Sequence, residues 1–271
     1  MSAPVLFRVS DGLAHLTLNR PDRLNAIDAA MAGAWADATR EIARRDDIGA
    51  VLIDAAGPAF CAGGDVHAMA SSPRAAEVTA LAQILNEGIV ALVTSAVPVV
   101  AAAHGTTAGG GLGLLLCSDY AVVGADSVIG SRYAQVGLTP DLSVTAQLSR
   151  AVGERRALQL LLSDRMLTAS EALEWGLVAE VVDGDGHEQI ADAVRERAQA
   201  VAWSWLDGAT AAYGHAKRLV RASPERSLAE QLADEARSIG TAVETADARA
   251  RIARFARRAQ ANGGEQTDRR G

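Results

Sequence analysis

The sequence predicts an α/β core of about two hundred residues followed by a helical C-terminal region, and three observations carry that reading. Short apolar runs alternate with amphipathic stretches as far as Val182. Beyond it the pattern is helical throughout, in Ala- and Arg-rich segments. Finally, 271 residues with 49% hydrophobic and 22% charged are enough to bury one large core. The expected division is a core at 1–200, a helical region at 201–258 and a tail without structure at 259–271.

In chain order, "VLFRVSDGLAHLTLN" reads as two strands around an Asp11-Gly12 turn. A helix follows over 28–47, capped by Asp28, with Met31, Trp35, Ala38 and Ile42 on one stripe. "GAVLIDAAG" is a buried strand, 75–95 a helix, and "VPVVAAAHG" from Pro98 a second buried strand. Gly109, Gly110 and Gly111 then open an apolar helix that reaches Cys117. "DYAVVGADSVIG" gives two short strands; 143–153 and 154–163 read as helices; "TASEALEWGLVAEVV" is a capped helix returning to a strand. The last helices are expected at 188–204, 208–221 and 226–257. "ANGGEQTDRRG" has no apolar periodicity, which predicts disorder.

Composition excludes several classes. A net charge of −7 argues against general nucleic-acid binding. From Arg249 onward seven arginines face only Glu265 and Asp268, a local +5 that leaves −12 on the rest; this reads as a solvated helix and tail. Cys61 and Cys117 lack the spacing of a zinc site or a disulfide framework, which fits a reducing compartment. The N-terminus shows no signal peptide, and the apolar run from Ile89 to Ala103 is broken by Pro98. The expectation is a cytoplasmic protein with no membrane and no nucleic-acid partner.

Two small-residue turns call for a reason. Gly109-Gly110-Gly111 follows a buried strand and opens a helix, where backbone N–H groups lack partners at the positive end of the dipole. It matches neither G-x-G-x-x-G nor a P-loop. "PAFCAGGDVHAM", residues 58–69, also follows a buried strand and offers Gly63-Gly64. For either turn alone a tight bend is sufficient explanation. Two strand-end turns that each offer a peptide N–H make a natural oxyanion hole.

"LTLNRPDRLNAID", "AFCAGGD", "AHGTTAGGGLG", "GLTPD" and "EALEWGLVAEVV" occur in an order and at spacings that resemble the enoyl-CoA hydratase/isomerase (crotonase) superfamily. The resemblance implies a crotonase-like spiral of ββα units with a helical C-terminal trimerisation region. It implies a homotrimer or a dimer of trimers, a coenzyme A thioester as substrate, and no permanently bound cofactor or metal. Carried over residue by residue, the N–H groups of Gly64 and Gly110 hold the thioester oxygen, with Gly63 and Gly109 beside them. Arg23, Leu24 and Ala26 lie near coenzyme A, and Ala62, Asp65 and Val66 line it from the other turn. Without the resemblance, Arg23 is a surface arginine and Asp65 a helix cap.

The carboxylates decide the reaction. Hydratases of this family use two glutamates, and the matching positions here are Gly113 and Tyr133. Neither can act as a carboxylate, which speaks against ordinary hydration. Asp141 remains. Locally it reads as the N-cap of the helix that follows Pro140. Isomerase-like members and aryl-CoA dehalogenases carry an acidic residue at this place, and among Tyr133, Val136 and Leu138 partial desolvation favours the protonated form and suits a general base. The resulting expectation is a double-bond shift through an enolate. The alternatives are a single-carboxylate enoyl-CoA hydratase, an aryl-CoA dehalogenase-like enzyme and a non-catalytic acyl-CoA-binding protein.

The remaining candidates have plainer readings. His15 and His104 are expected to make local hydrogen bonds, Trp203 and Trp205 to dock the C-terminal region, and Cys61 to be inert. His67 follows the first turn, close to where coenzyme A is expected. Residues 68–88 are expected to line the acyl end.

Overall fold

Asp11 and Gly12 both take positive φ, 51° and 82°, and reverse the chain between β1 (Val5–Ser10) and β2 (Leu13–Leu18). The resulting hairpin is the edge of a six-stranded sheet in a computed structural model that describes residues 2–66 and 74–267. Its order is β1-β2-β3-β4-β6-β9, with β3 at Ala50–Ala55, β4 at Val99–Ala103, β6 at Tyr120–Gly124 and β9 at Glu180–Val182. Only the hairpin is antiparallel; β2 to β9 pair in parallel. A parallel sheet is covered on both faces, so β3 and β4 are buried at every position and read as continuous apolar runs. A second sheet, β5-β7-β8, joins Thr106–Ala108, Val128–Gly130 and Met166–Thr168. The sequence reading anticipated β7 but neither β5 nor β8; three-residue strands carry too little periodicity to register.

One face of the large sheet packs on α1 (Ala29–Arg44) and α2 (Ala75–Thr94). Asp28 caps α1 as expected, its Oδ1 accepting from Met31 N at 2.9 Å. Gly88 is fixed by the packing of the two helices, because a Cβ there would lie 2.3 Å from Trp35 Nε1. Among the described residues α2 is the one helix long and apolar enough to cross a bilayer, yet Leu85, Gly88, Ile89 and Leu92 are buried within this fold. The short helix α3 (Gly110–Leu116) is buried at every residue. Beyond β7 come α4 (Val144–Val152), α5 (Glu154–Leu161) and α6 (Ala169–Trp175), the last opened by a Thr168–Glu171 capping box.

The other face is covered by α7 (His187–Asp207), whose Ile190, Val194, Ala198, Val201 and Ala202 meet Leu52, Val100 and Val122. The border expected at 200/201 therefore falls inside a helix, because the stripe that seals this core runs on to Ala202. Trp203 and Trp205 pack against the same cluster, Trp205 edge-on to Tyr120 at 6.4 Å. The helix expected at 226–257 is two, α9 (Leu228–Val243) after α8 (Thr210–Ala222), then α10 (Ala246–Thr267). Thr245 breaks the run, its Oγ1 accepting from Ala248 N at 3.2 Å. The expected unstructured tail meets α10, which continues past Arg258 to Thr267 through Asn262, Gly263 and Gly264, residues whose own helix propensity does not favour it.

Candidate active site

Two turns, one beyond β3 and one at the C-terminal end of β5, lie back to back. Cys61 N donates to Thr106 O at 3.1 Å and Ala108 N to Cys61 O at 2.9 Å, fastening the first turn along β5. Ala62 N donates to Leu24 O, Ile27 N to Gly63 O and Asp65 N to Ile27 O, so the N–H groups of Ala62 and Asp65 are spent. In the second turn Gly109 N donates to Ser131 O at 3.0 Å, and Leu112 N closes on Gly109 O. The N–H groups of Gly64 and Gly110 have no hydrogen bond among the described residues. Gly110 opens α3, so its donor is one that a helix start leaves unpaired.

The glycines explain how the turns come so close. Gly109 sits at φ 52°. A Cβ on Gly63 would lie 3.1 Å from Ala108 O and 3.5 Å from Gly110 N. At Gly111 a Cβ would come within 2.3 Å of Cys61 O. At Gly113 it would meet Leu142 O at 2.4 Å and Leu142 Cβ at 2.7 Å. At positions 111 and 113, then, neighbouring main chain takes the room that a side chain would need.

Both turns open on a cavity of about 640 Å³. Ala62, Gly63, Gly64, Val66, Gly109, Gly110, Tyr133, Val136, Leu138 and Asp141 line it together. Arg23, Leu24, Ala26 and Asp65 stand outside that lining. Ala26 and Asp65 are instead tied down by Arg20, which donates to Ala26 O, reaches Asp65 Oδ2 at 3.3 Å and pairs with Asp28 at 2.9 Å. Buried Asn25 completes the clamp by donating to the carbonyls of Ala56 and Ala59. The sequence reading missed Arg20 and Asn25, although both stand inside the quoted "NRPDRLNA". It also missed Arg132, Gln135, Thr139 and Leu142 in the lining. On α2, residues 78–86 supply one wall, as expected of part of 68–88; His67 and residues 68–73 lie outside the described residues.

Asp141 does not cap the helix that follows it. The N-cap of α4 is Ser143, without a side-chain cap, and Asp141 contributes only its carbonyl, to Val144 N at 3.0 Å. Its carboxylate turns to Tyr133 instead, whose O–H donates to Oδ1 at 2.5 Å. Burial, then the neighbouring carboxylate, pushes the Tyr133 phenol far up, so it stays a donor. The expected desolvation of Asp141 is absent: the side chain is exposed, because Val136 and Leu138 are themselves 53% and 47% exposed and leave that wall open. Arg132, Leu142 and Ser143 all hold positive φ without being glycine, and Leu24 and Asn25 do so in the facing turn. Strain of this kind persists where surrounding structure imposes it, and here it borders the cavity.

Among the described residues Asp141 is the sole carboxylate and Arg132 the sole cation in the lining. Burial pushes the Cys61 thiol up to about 12, and its Sγ points at Asn25 O, so it is no nucleophile. Buried His104 bonds Gly57 O at 2.7 Å, and His15 bonds Arg8 and Asp54. Among the described residues no three His, Cys, Asp or Glu side chains gather closely enough to hold a metal. Two unpaired amides and one carboxylate on a single cavity can place an oxygen that gains charge beside a group that exchanges a proton.

Known proteins share this architecture. A family model described as enoyl-CoA hydratase/isomerase matches residues 8–266. The chain is 32% identical over 201 residues to the 1,2-epoxyphenylacetyl-CoA isomerase of Escherichia coli, covering 73% of this chain and 76% of that protein. It is 32% identical over 255 residues to a Rhodobacter capsulatus protein named "probable enoyl-CoA hydratase", covering 93% and 94%. The crystal structure of a Mycobacterium smegmatis enoyl-CoA hydratase superposes with a TM-score of 0.85 at 27% identity, covering 94% of this chain and 96% of that one. By the extent of these matches along the chain, the protein belongs to the enoyl-CoA hydratase/isomerase family.

Proposed function

We propose that the protein is an acyl-CoA isomerase that moves a proton, and with it a double bond, along the acyl group of a coenzyme A thioester. Asp141 takes a proton from the acyl chain. The electron pair of the broken C–H bond passes into the thioester carbonyl, whose oxygen is held by the N–H groups of Gly64 and Gly110. Asp141 then returns the proton to a different carbon. One carboxylate suffices because the proton leaves and returns by the same carrier. Substrate filling the open wall at Val136 and Leu138 supplies the desolvation that the free chain lacks.

The observation that carries this reading is the relation between Gly113 and Leu142. Hydratases of this family place a glutamate where Gly113 stands, and here the Leu142 main chain fills the space that its side chain would need. With Tyr133 at the other glutamate position, Asp141 is left as the only acid in the lining among the described residues. The relative named 1,2-epoxyphenylacetyl-CoA isomerase is in keeping with proton and bond rearrangement on an acyl-CoA. The test is turnover of a panel of 3-enoyl-CoA esters, aliphatic and aromatic, by wild type and Asp141→Asn. Double-bond migration that the substitution abolishes supports the proposal; wild-type turnover by the variant ends it.

Hydration is the second reading, favoured by the Rhodobacter relative's name and by the exposure of Asp141, which leaves room for a water. Incorporation of solvent oxygen into product separates it from isomerisation. We further infer a homotrimer, or a dimer of trimers, formed through the C-terminal helices. Leu228, Leu232 and Ile239 on α9 and Ile252 and Phe255 on α10 are all exposed in the single chain and need a partner surface. Sedimentation at micromolar concentration reads this directly.

A further inference from the structure

We propose that Tyr133 is a positioning residue: it holds the Asp141 carboxylate through Oδ1 and leaves Oδ2 as the atom that exchanges the proton. The inference rests on the isomerase reading above and assigns to Tyr133 a task different from contact with substrate.

Three observations place it there. The Tyr133 O–H lies 2.5 Å from Asp141 Oδ1, and no other hydrogen bond to that carboxylate is present among the described residues. The two residues also differ in burial: Tyr133 is 9% exposed and Asp141 is exposed. An exposed carboxylate on a loop samples several rotamers, and a bond to a buried ring selects one. Lastly, the Tyr133 backbone is fixed from both directions. Its carbonyl accepts from Val136 N at 3.1 Å and Leu138 N at 3.0 Å, while Leu142 and Ser143 hold positive φ just past Asp141. Anchor and base thus belong to one constrained loop.

The chemistry of the anchor matches the task. A phenol that stays protonated donates to a carboxylate and cannot compete with it for substrate protons. Its bond to Oδ1 takes up one carboxylate oxygen as acceptor and leaves the other toward the cavity. The other ionisable groups around the pair are Arg132, in the same cavity lining, and the thiol of Cys61 beside the phenol. Neither has a hydrogen bond to Asp141 in this structure.

The experiment follows deuterium exchange into an acyl-CoA ester as a function of pH, for wild type, Tyr133→Phe and Asp141→Asn. Phenylalanine keeps the buried ring and removes only the oxygen. The expected result for Tyr133→Phe is a plateau rate lower by about tenfold and an acid limb moved up by about one pH unit. Its affinity for a non-reacting CoA thioester and its melting temperature should stay near wild type. A lower rate with an unmoved acid limb would mean that Tyr133 acts through packing alone and would overturn the inference. So would a wild-type profile in Tyr133→Phe while Asp141→Asn is inactive, an outcome that leaves the isomerase reading standing. Wild-type exchange by Asp141→Asn would remove both.

Discussion

The hydroxyl of Tyr133 and the carboxylate of Asp141 share a hydrogen bond of 2.5 Å, and that bond takes the aspartate away from the helix end beside it. An Asp after a proline and before a helix ordinarily works as an N-cap worth about 1 kcal/mol. Here only its carbonyl serves α4. Asp141→Asn should therefore change stability by less than about 0.5 kcal/mol, the range of surface substitutions. Chemical denaturation measures this, and a loss of 1 kcal/mol or more would restore the capping role.

Gly113→Glu is the substitution that would rebuild a hydratase position. The structure predicts that it fails, because a Cβ at 113 meets Leu142 O at 2.4 Å. Backbone rather than a flexible side chain stands in the way, so the cost should reach or exceed the about 1–3 kcal/mol typical of overpacking. The expected variant melts lower and shows no gain in 2-enoyl-CoA hydration. A folded, newly active hydratase would refute this account of the site.

Arg20 links the turn at Ala26 to Asp65 beside the Gly63-Gly64 turn, with Asp28 at the start of α1 as a third partner. Its removal takes one charged donor from the partly buried Asp28 and Asp65 carboxylates, at about 1–3 kcal/mol. If the turn holds coenzyme A as proposed, Arg20→Ala should also raise KM for acyl-CoA more than it lowers kcat. Steady-state kinetics with melting curves check both parts.

Acid stability should depend on Asp54, which lies on β3 away from the cavity. Burial works against its charge, but hydrogen bonds and charge from His15, with Thr17 and Arg195, outweigh burial and hold the carboxyl below its ordinary value. The unfolded chain then binds the proton more readily than the folded one. The stabilisation is complete above about pH 5 and is lost as pH falls through the usual carboxylate range and below it. Asp54→Asn should destabilise the fold by about 3 kcal/mol at neutral pH and flatten the dependence of melting temperature on pH between about 3 and 5. An unchanged slope would show that other carboxylates govern acid unfolding.

Much of this was legible in the sequence because it is local. Apolar runs became β3 and β4, Asp28 capped its helix, and "TASE" formed the Thr168–Glu171 box. The two glycine turns were found for the same reason: each is a short string at a strand end. What escaped depends on contacts distant in sequence. Leu142 O above Gly113 and Arg20 against Asp65 leave no mark on hydrophobic period. The capping role of Asp141 misled because local grammar favoured it, and only the through-space position of the Tyr133 hydroxyl decides against it. The border at residue 200 lies within α7, whose burial against the sheet composition alone does not reveal.

The central claim is that one carboxylate, Asp141, carries the proton while main-chain amides hold the thioester oxygen. Deuterium exchange from solvent into the α- and γ-carbons of a bound enoyl-CoA, followed by NMR for wild type and Asp141→Asn, tests it most directly. The account predicts exchange at both carbons in wild type and a loss of about 10²–10⁴-fold in the variant, with binding retained. Equal exchange in the two proteins, or none in wild type across aliphatic and aromatic esters that bind, would contradict it.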